Sequence, residues 1–224
     1  MKKVMLALAI LLPFLLVVGC IVSDQLTTFT IHPDGSADVV IFRANLRSSE
    51  KGERAESELA DYKTRFDTRT DDEFIRIRDA GGTIDASWVR EQAPFSNVIR
   101  ARFADATALE KYLTMRNDDG GPLVTTSFHK DGQRRKLTIL VTMPTDQIPA
   151  SESFPNNVEQ SRQSYADGIS ETRFAVTRGA ITAARGFNIA EDKQSALLDI
   201  SALAAMLRRG QGKADLHLEW EVTQ

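Results

Sequence analysis

The sequence predicts an α+β fold: a mostly antiparallel sheet of about ten strands built from hairpins, with about four helices packed on it. Three observations lead there. Stretches of alternating apolar and polar residues recur along the chain, the cleanest being Leu216, Leu218, Trp220 and Val222 against His217, Glu219 and Glu221. Asp-Gly pairs at Asp34-Gly35 and Asp131-Gly132 follow such stretches, and glycine accepts the positive φ of a tight turn at little cost. Helical spacing is confined to a few segments, so hairpins outnumber crossovers.

Taken in order, Phe29 and Ile31 alternate with threonines and lead into the His32-Pro33-Asp34-Gly35-Ser36 turn. The return strand has Val40, Phe42, Ala44 and Leu46 on one face, and Val39 and Ile41 on the other. Ser48-Ser49 offers an N-cap for a long charged helix whose Ala55, Leu59, Tyr62 and Phe66 form a single stripe. Thr70-Asp71-Asp72-Glu73 has the form of a capping box before a short helix carrying Phe74 and Ile77. Carboxylates are favoured at a helix N-terminus, so that acid cluster is no argument for a metal. Gly81-Gly82 breaks the chain. Ile84, Ala86 and Trp88 alternate in one strand and Asn97, Ile99, Ala101 and Phe103 in the next, with Ala93-Pro94 as the turn. Asp105 or Thr107 caps a helix that points Leu109, Tyr112 and Leu113 inward. Asn117-Asp118-Asp119-Gly120-Gly121 lacks the ligand spacing and later glutamate of a calcium loop, and reads as a turn.

Phe128-His129-Lys130-Asp131-Gly132-Gln133 echoes Ile31-His32-Pro33-Asp34-Gly35-Ser36, and Leu137, Ile139, Val141 and Met143 form the apolar face of this second hairpin. From Pro144 to Gly168 prolines sit among Ser, Asn, Gln and Asp, which marks a long loop and the candidate subdomain boundary. Phe174 and Val176 then lead to a turn at Arg178-Gly179, followed by Ile181, Ala183, Phe187 and Ile189. Leu198 and Ile200 make a short strand before a helix from about Ser201, with Leu203, Met206 and Leu207 buried and Gly210 as its cap.

The N-terminus dictates where this domain works. Lys2 and Lys3 form a positive n-region, Val4 to Val18 is an apolar run, and Val17-Val18-Gly19-Cys20 resembles a bacterial lipobox. That reading makes residues 1–19 a signal peptide, Cys20 the lipidated first residue, 20–27 a short tether and 28–224 the folded domain. The uncharged run from Val4 to Val22 also meets the length of a spanning helix, and under either reading the domain stays attached to a membrane. Cys20 is the single cysteine, so no disulfide or thiolate metal site competes for it. The lipoprotein resemblance implies diacylglyceryl on sulfur and an acyl chain such as palmitate on the new amino group. Ile21, rather than Asp, after the cysteine implies the outer membrane if the source is Gram-negative.

Removing residues 1–19 takes two lysines from the 28 basic residues, leaving 26 against 31 acids and a formal charge of −5. That balance argues against nucleic-acid binding. His32, His129 and His217 are the ordinary general bases available, and no HExxH, GxSxG, P-loop or GxGxxG pattern accompanies them. No cofactor or metal is expected. Trp88 and Trp220, each on an alternating strand, are the candidate walls of a ligand pocket if the sheet curves around one. The lipobox, the 31–36 turn, the Trp88-to-Leu113 strand–strand–helix unit and the Ile181-to-Phe187 strand with Gly186 together resemble the LppM-like family of lipid-anchored bacterial domains. That resemblance implies a curved sheet with helices, similar to lipid-binding folds, and a role for an apolar ligand without defined chemistry. The expected function is a non-enzymatic envelope lipoprotein that binds or presents an apolar ligand or a protein partner. The alternative is a periplasmic or surface hydrolase using one of the three histidines.

Overall fold

Eleven strands and four helices occupy the described residues, and the strands divide between two sheets. The computed structural model describes residues 21–114, 123–144 and 170–223. The lipobox, the Asn117–Gly121 turn and all but the first residue of the Pro144–Gly168 loop lie outside them.

The larger sheet holds seven strands in the order β3 (Thr83–Arg90), β4 (Phe95–Phe103), β2 (Ala37–Ser48), β1 (Ile21–Ile31), β7 (Ser170–Val176), β10 (Ser195–Leu198) and β9 (Phe187–Ile189). The smaller has four: β5 (Leu123–Asp131), β6 (Arg134–Thr142), β11 (Lys213–Val222) and β8 (Gly179–Arg185). The single sheet expected from the sequence is therefore corrected to two, since open twisted sheets tend to split and pack as strands are added. Antiparallel pairing predominates, but β1 and β7 pair in parallel from Gln25–Ser170 to Ile31–Val176. The chain steps from one sheet to the other at Thr177-Arg178, where Arg178 takes a φ of 52°.

Helices α1 (Glu53–Asp67) and α2 (Asp72–Asp79) bury Tyr62, Phe66, Phe74 and Ile77 against the larger sheet. The first starts at Gly52, not after Ser48-Ser49, because β2 runs on through Ser48. Helix α3 (Ala106–Leu113), capped by Asp105, packs on β5; α4 (Ile200–Arg209), capped by Asp199, packs on β11.

Cross-strand register turns the inner face of the larger sheet into rows. Phe103, Ala37, Ile31 and Val176 form the row nearest the β1–β2 turn; Ala101, Val39, Phe29 and Phe174 form the next. Ile99, Ile41, Thr27 and Thr172 follow, then Asn97, Arg43, Gln25 and Ser170. On β2 it is Val39 and Ile41 that face the core, while Val40 and Phe42 are exposed. A register shift beyond Arg43, where Asn45 has a φ of 52°, returns Leu46 to the inside.

The smaller sheet docks at the turn end. Arg135 Nε donates to the Pro33 carbonyl at 2.6 Å, and Gly35, at φ 95°, lies where a Cβ would crowd Ala106 and Phe128. The two turns that echo each other in sequence differ in build: residues 32–36 separate β1 from β2, whereas only Gly132 and Gln133 separate β5 from β6.

Candidate functional site

Strand β1 begins at Ile21, the residue after Cys20, and pairs at once with Ser48 of β2. The tether expected over residues 20–27 is thus corrected: Ser23 to Gln25 lie within a strand. Their polarity suggested a linker, but Gln25 is buried and its amide is used inside the sheet.

Around Gln25 stands a buried polar assembly. Arg43 Nε donates to Gln25 Oε1 at 3.1 Å, and its Nη1 donates to the Tyr62 hydroxyl at 3.0 Å. Asn97 Nδ2 donates to the same hydroxyl at 2.8 Å, and Gln25 Nε2 donates to Thr27 Oγ1 at 3.2 Å. The Asp71 carboxylate lies 3.9 Å from Arg43 Nη1 and also caps α2 by accepting from the Glu73 amide. Beside it the Tyr112 hydroxyl donates to Glu73 Oε1 at 2.6 Å, while Arg76 reaches Glu73 at 3.9 Å and donates to the Tyr112 carbonyl at 3.0 Å.

Electrostatics follow from this burial. Loss of water pushes the Glu73 carboxyl above its ordinary range, against the opposing pull of Arg76, Arg43 and the Tyr112 hydrogen bond. The Tyr112 phenol is held well above its usual value by burial and by Glu73. Burial disfavours the Arg43 cation, and Tyr62, Asp71 and Glu73 more than reverse that, so Arg43 stays charged. Three buried oxygens on the same rows have no hydrogen-bond partner among the described residues: Asn97 Oδ1, Ser170 Oγ and Thr172 Oγ1.

Sequence reading missed this assembly, although its signal was present. Gln25 and Thr27 alternate in phase with Phe29 and Ile31, Arg43 in phase with Val39 and Ile41, and Glu73 sits one helical turn before Ile77. Among the described residues, no group of three or more His, Cys, Asp or Glu side chains is placed to hold a metal.

The three histidines are not brought together. His32, about a quarter exposed, bridges Asp38 and Thr177: Nε2 lies 2.9 Å from Asp38 Oδ2 and Nδ1 lies 3.0 Å from Thr177 Oγ1. This ties the β1–β2 turn to the end of β7. His129 and His217 lie on the outer face of the smaller sheet, in rows with Lys136 and Thr138 respectively.

The two tryptophans stand in different sheets. Trp88 packs on Phe66 with ring centroids 4.7 Å apart and donates Nε1 to Asp67 Oδ1 at 2.7 Å. Trp220 is fully buried, its ring 5.8 Å from that of Phe128, and its Nε1 has no acceptor. Trp220 also contributes to the lining of a cleft of about 370 Å³, together with charged side chains that include Asp131, Arg134, Lys136, Glu219 and Glu221. Lys136 donates to Glu219 there at 2.8 Å and holds that carboxyl below its usual range; Arg134 meets Glu221 at 3.5 Å.

No family model matches the chain, and no curated protein matches it. Among solved structures it is similar to the NMR structure of the folded domain of the LppM protein of Mycobacterium tuberculosis, at 14% identity and a TM-score of 0.42, over 94% of this chain and 95% of that one. The neighbour bears the name of the family that the sequence resembles.

Proposed function

We propose that this chain is a lipid-anchored protein of the bacterial cell envelope that works by binding rather than by turnover. The observation that carries the reading is the placement of β1. A central strand of the larger sheet starts one residue after the lipobox cysteine, so lipid on Cys20 couples to the folded body without a linker. Strand β1, eleven residues at about 3.3 Å each, then separates Cys20 from the turn end where the smaller sheet docks by up to about 33 Å along the strand. One thioether-linked diacylglyceryl group and one N-acyl chain make such attachment effectively permanent. The outer membrane is the destination in a Gram-negative source. At the smaller sheet the charged side chains around the cleft, with Trp220 in its lining, favour a protein partner of mixed polar and apolar surface.

Mass spectrometry of the native polypeptide tests this. The expected product begins at Cys20 and carries the added mass of lipid, and Cys20→Ala releases the protein from the membrane fraction. An intact Met1 start with an unmodified thiol, recovered from soluble cytosol, overturns it.

One observation favours the hydrolytic alternative: Asp38, His32 and Thr177 form a carboxylate–imidazole–hydroxyl chain. Acyl transfer also needs donors aimed at a developing oxyanion, and the Thr177 amide is committed to the Ile31 carbonyl at 3.1 Å. Single His32→Ala, His129→Ala and His217→Ala variants that all behave like the parent in an envelope-stress assay remove that alternative.

A further inference from the structure

We infer that the β3–β4 hairpin tip is a bilayer-contact surface, with Val89, Ala93, Pro94 and Phe95 seated at the boundary between headgroups and acyl chains. The inference rests on the reading of Cys20 as lipidated and adds to it which face of the domain meets the membrane.

The argument is one of register. Strand β1 starts at the Ile21 end, β2 ends there at Ser48, and Leu46 pairs with Phe95, so β4 starts and β3 ends at that same end. Strands β1 and β4 are separated by β2 alone, a lateral distance of about 10 Å at ordinary strand spacing. Cys20 is one peptide from Ile21, some 3.8 Å between Cα atoms. Lipid on Cys20 therefore brings the 89–95 turn to the surface of the bilayer, because no flexible segment separates anchor from sheet.

The chemistry of the tip suits that position. Val89 is 59% exposed, the most exposed large apolar side chain of the described residues, and Ala93 and Pro94 beside it are exposed as well. Phe95 is half-buried beneath Lys63, whose Nζ lies 4.9 Å from its ring centroid and 5.8 Å from that of Trp88. The Lys63 ammonium thus stands over two aromatic rings beside the tip, a cation–π placement that sets a positive charge next to its apolar residues. Lys63 and the exposed Arg90 then meet lipid phosphates. Glu91, the acid within the turn, is exposed, and its carbonyl faces Lys63 Nζ at 3.5 Å.

The single native cysteine provides the test. With Cys20 lipidated, Val89→Cys introduces one reactive thiol into the full chain; Ala93→Cys gives a second tip position, and Leu140→Cys, exposed on the smaller sheet, gives the distal reference. Each variant is purified from membranes, spin-labelled and placed in phosphatidylethanolamine–phosphatidylglycerol vesicles. The expected result is several-fold lower accessibility to a water-soluble nickel relaxant at 89 and 93 than at 140, with higher accessibility to oxygen. Equal nickel accessibility at all three positions in a chain that floats with the vesicles overturns the inference and leaves the anchor standing. A chain that neither carries lipid nor floats overturns both.

Discussion

The inner face of the larger sheet has two ends built from the same four strands, and they solve burial in opposite ways. At the turn end, Phe29 stacks on Phe174 with centroids 4.9 Å apart and Phe103 meets Tyr112 at 4.8 Å. Such rows need only volume and shape. At the opposite end, where β1 starts at Ile21, Asn97, Arg43, Gln25 and Ser170 occupy equivalent positions and need partners for nearly every polar atom. Part of that need is unmet among the described residues, where Asn97 Oδ1 and Ser170 Oγ have none. A buried polar row contributes less stability than an apolar one of equal volume, but it accepts only the register that completes its hydrogen bonds. The difference teaches that the Ile21 end is built for a defined arrangement and the turn end for cohesion.

The largest effects break this comparison directly. Phe29→Ala opens a cavity in the apolar rows and is expected to cost about 3–5 kcal/mol in urea unfolding. Arg43→Ala at the other end is expected to cost a similar 3–5 kcal/mol by another route, since it strands the Asp71 carboxylate, only 7% exposed, without its cation. The routes separate in a second variant. Adding Asp71→Asn to Arg43→Ala should recover at least about 1 kcal/mol, whereas it should recover nothing when added to Phe29→Ala. Recovery in neither background would mean that Asp71 acts only as a helix cap, a role that Asn fills as well.

A smaller effect appears as a pH slope. Glu73 has a folded-state value above its ordinary 4.5, so its contribution is fully present below that pH and is lost as pH rises through the folded value. Glu73→Gln keeps an acceptor for the Tyr112 hydroxyl and should flatten the fall in Tm between mildly acidic and alkaline buffer. An unchanged slope would place the titration elsewhere. Smaller again is Thr172→Val, which removes a buried hydroxyl without a partner and should stabilise the protein by about 1 kcal/mol.

How much of this was legible depends on the range of the interaction. Local chemistry was readable: the Asp34-Gly35 turn, the Trp88 and Asn97 strands, the Tyr62–Phe66 stripe and the Gly210 cap all stand where their residues place them. The division into two sheets was not, because alternation of period two is the same in both, and the parallel β1–β7 pair joins residues some 145 positions apart. The polar assembly stayed hidden for a related reason. Gln25 reads as tether and Glu73 as part of a capping box, and only register across three strands places Asn97, Arg43 and Gln25 in one row. The echo between residues 31–36 and 128–133 misled in the other direction, since matching letters made loops of different length in different sheets.

The smallest expected effect sharpens the comparison most, because it sets two ion pairs of the molecule side by side. Lys136 and Glu219 approach to 2.8 Å on the outer face of the smaller sheet; Arg43 and Asp71 lie 3.9 Å apart inside the larger one. Ranked by distance, the former would matter more. Ranked by solvent it matters far less, since its partners are 42% and 38% exposed and water and salt screen them. The hydrogen bond from Lys136 lowers the folded-state value of Glu219, so the pair's contribution is present above about pH 4.5 and fades as pH falls through the folded value. Lys136→Ala should therefore cost about 0.2–1 kcal/mol at neutral pH, and less in 1 M salt. Arg43→Ala should be nearly insensitive to salt, because the counterion atmosphere does not reach its partners. Equal salt dependence for the two variants would mean that the Asn97–Arg43–Gln25 row is open to water, and the contrast between the two ends would have to be given up.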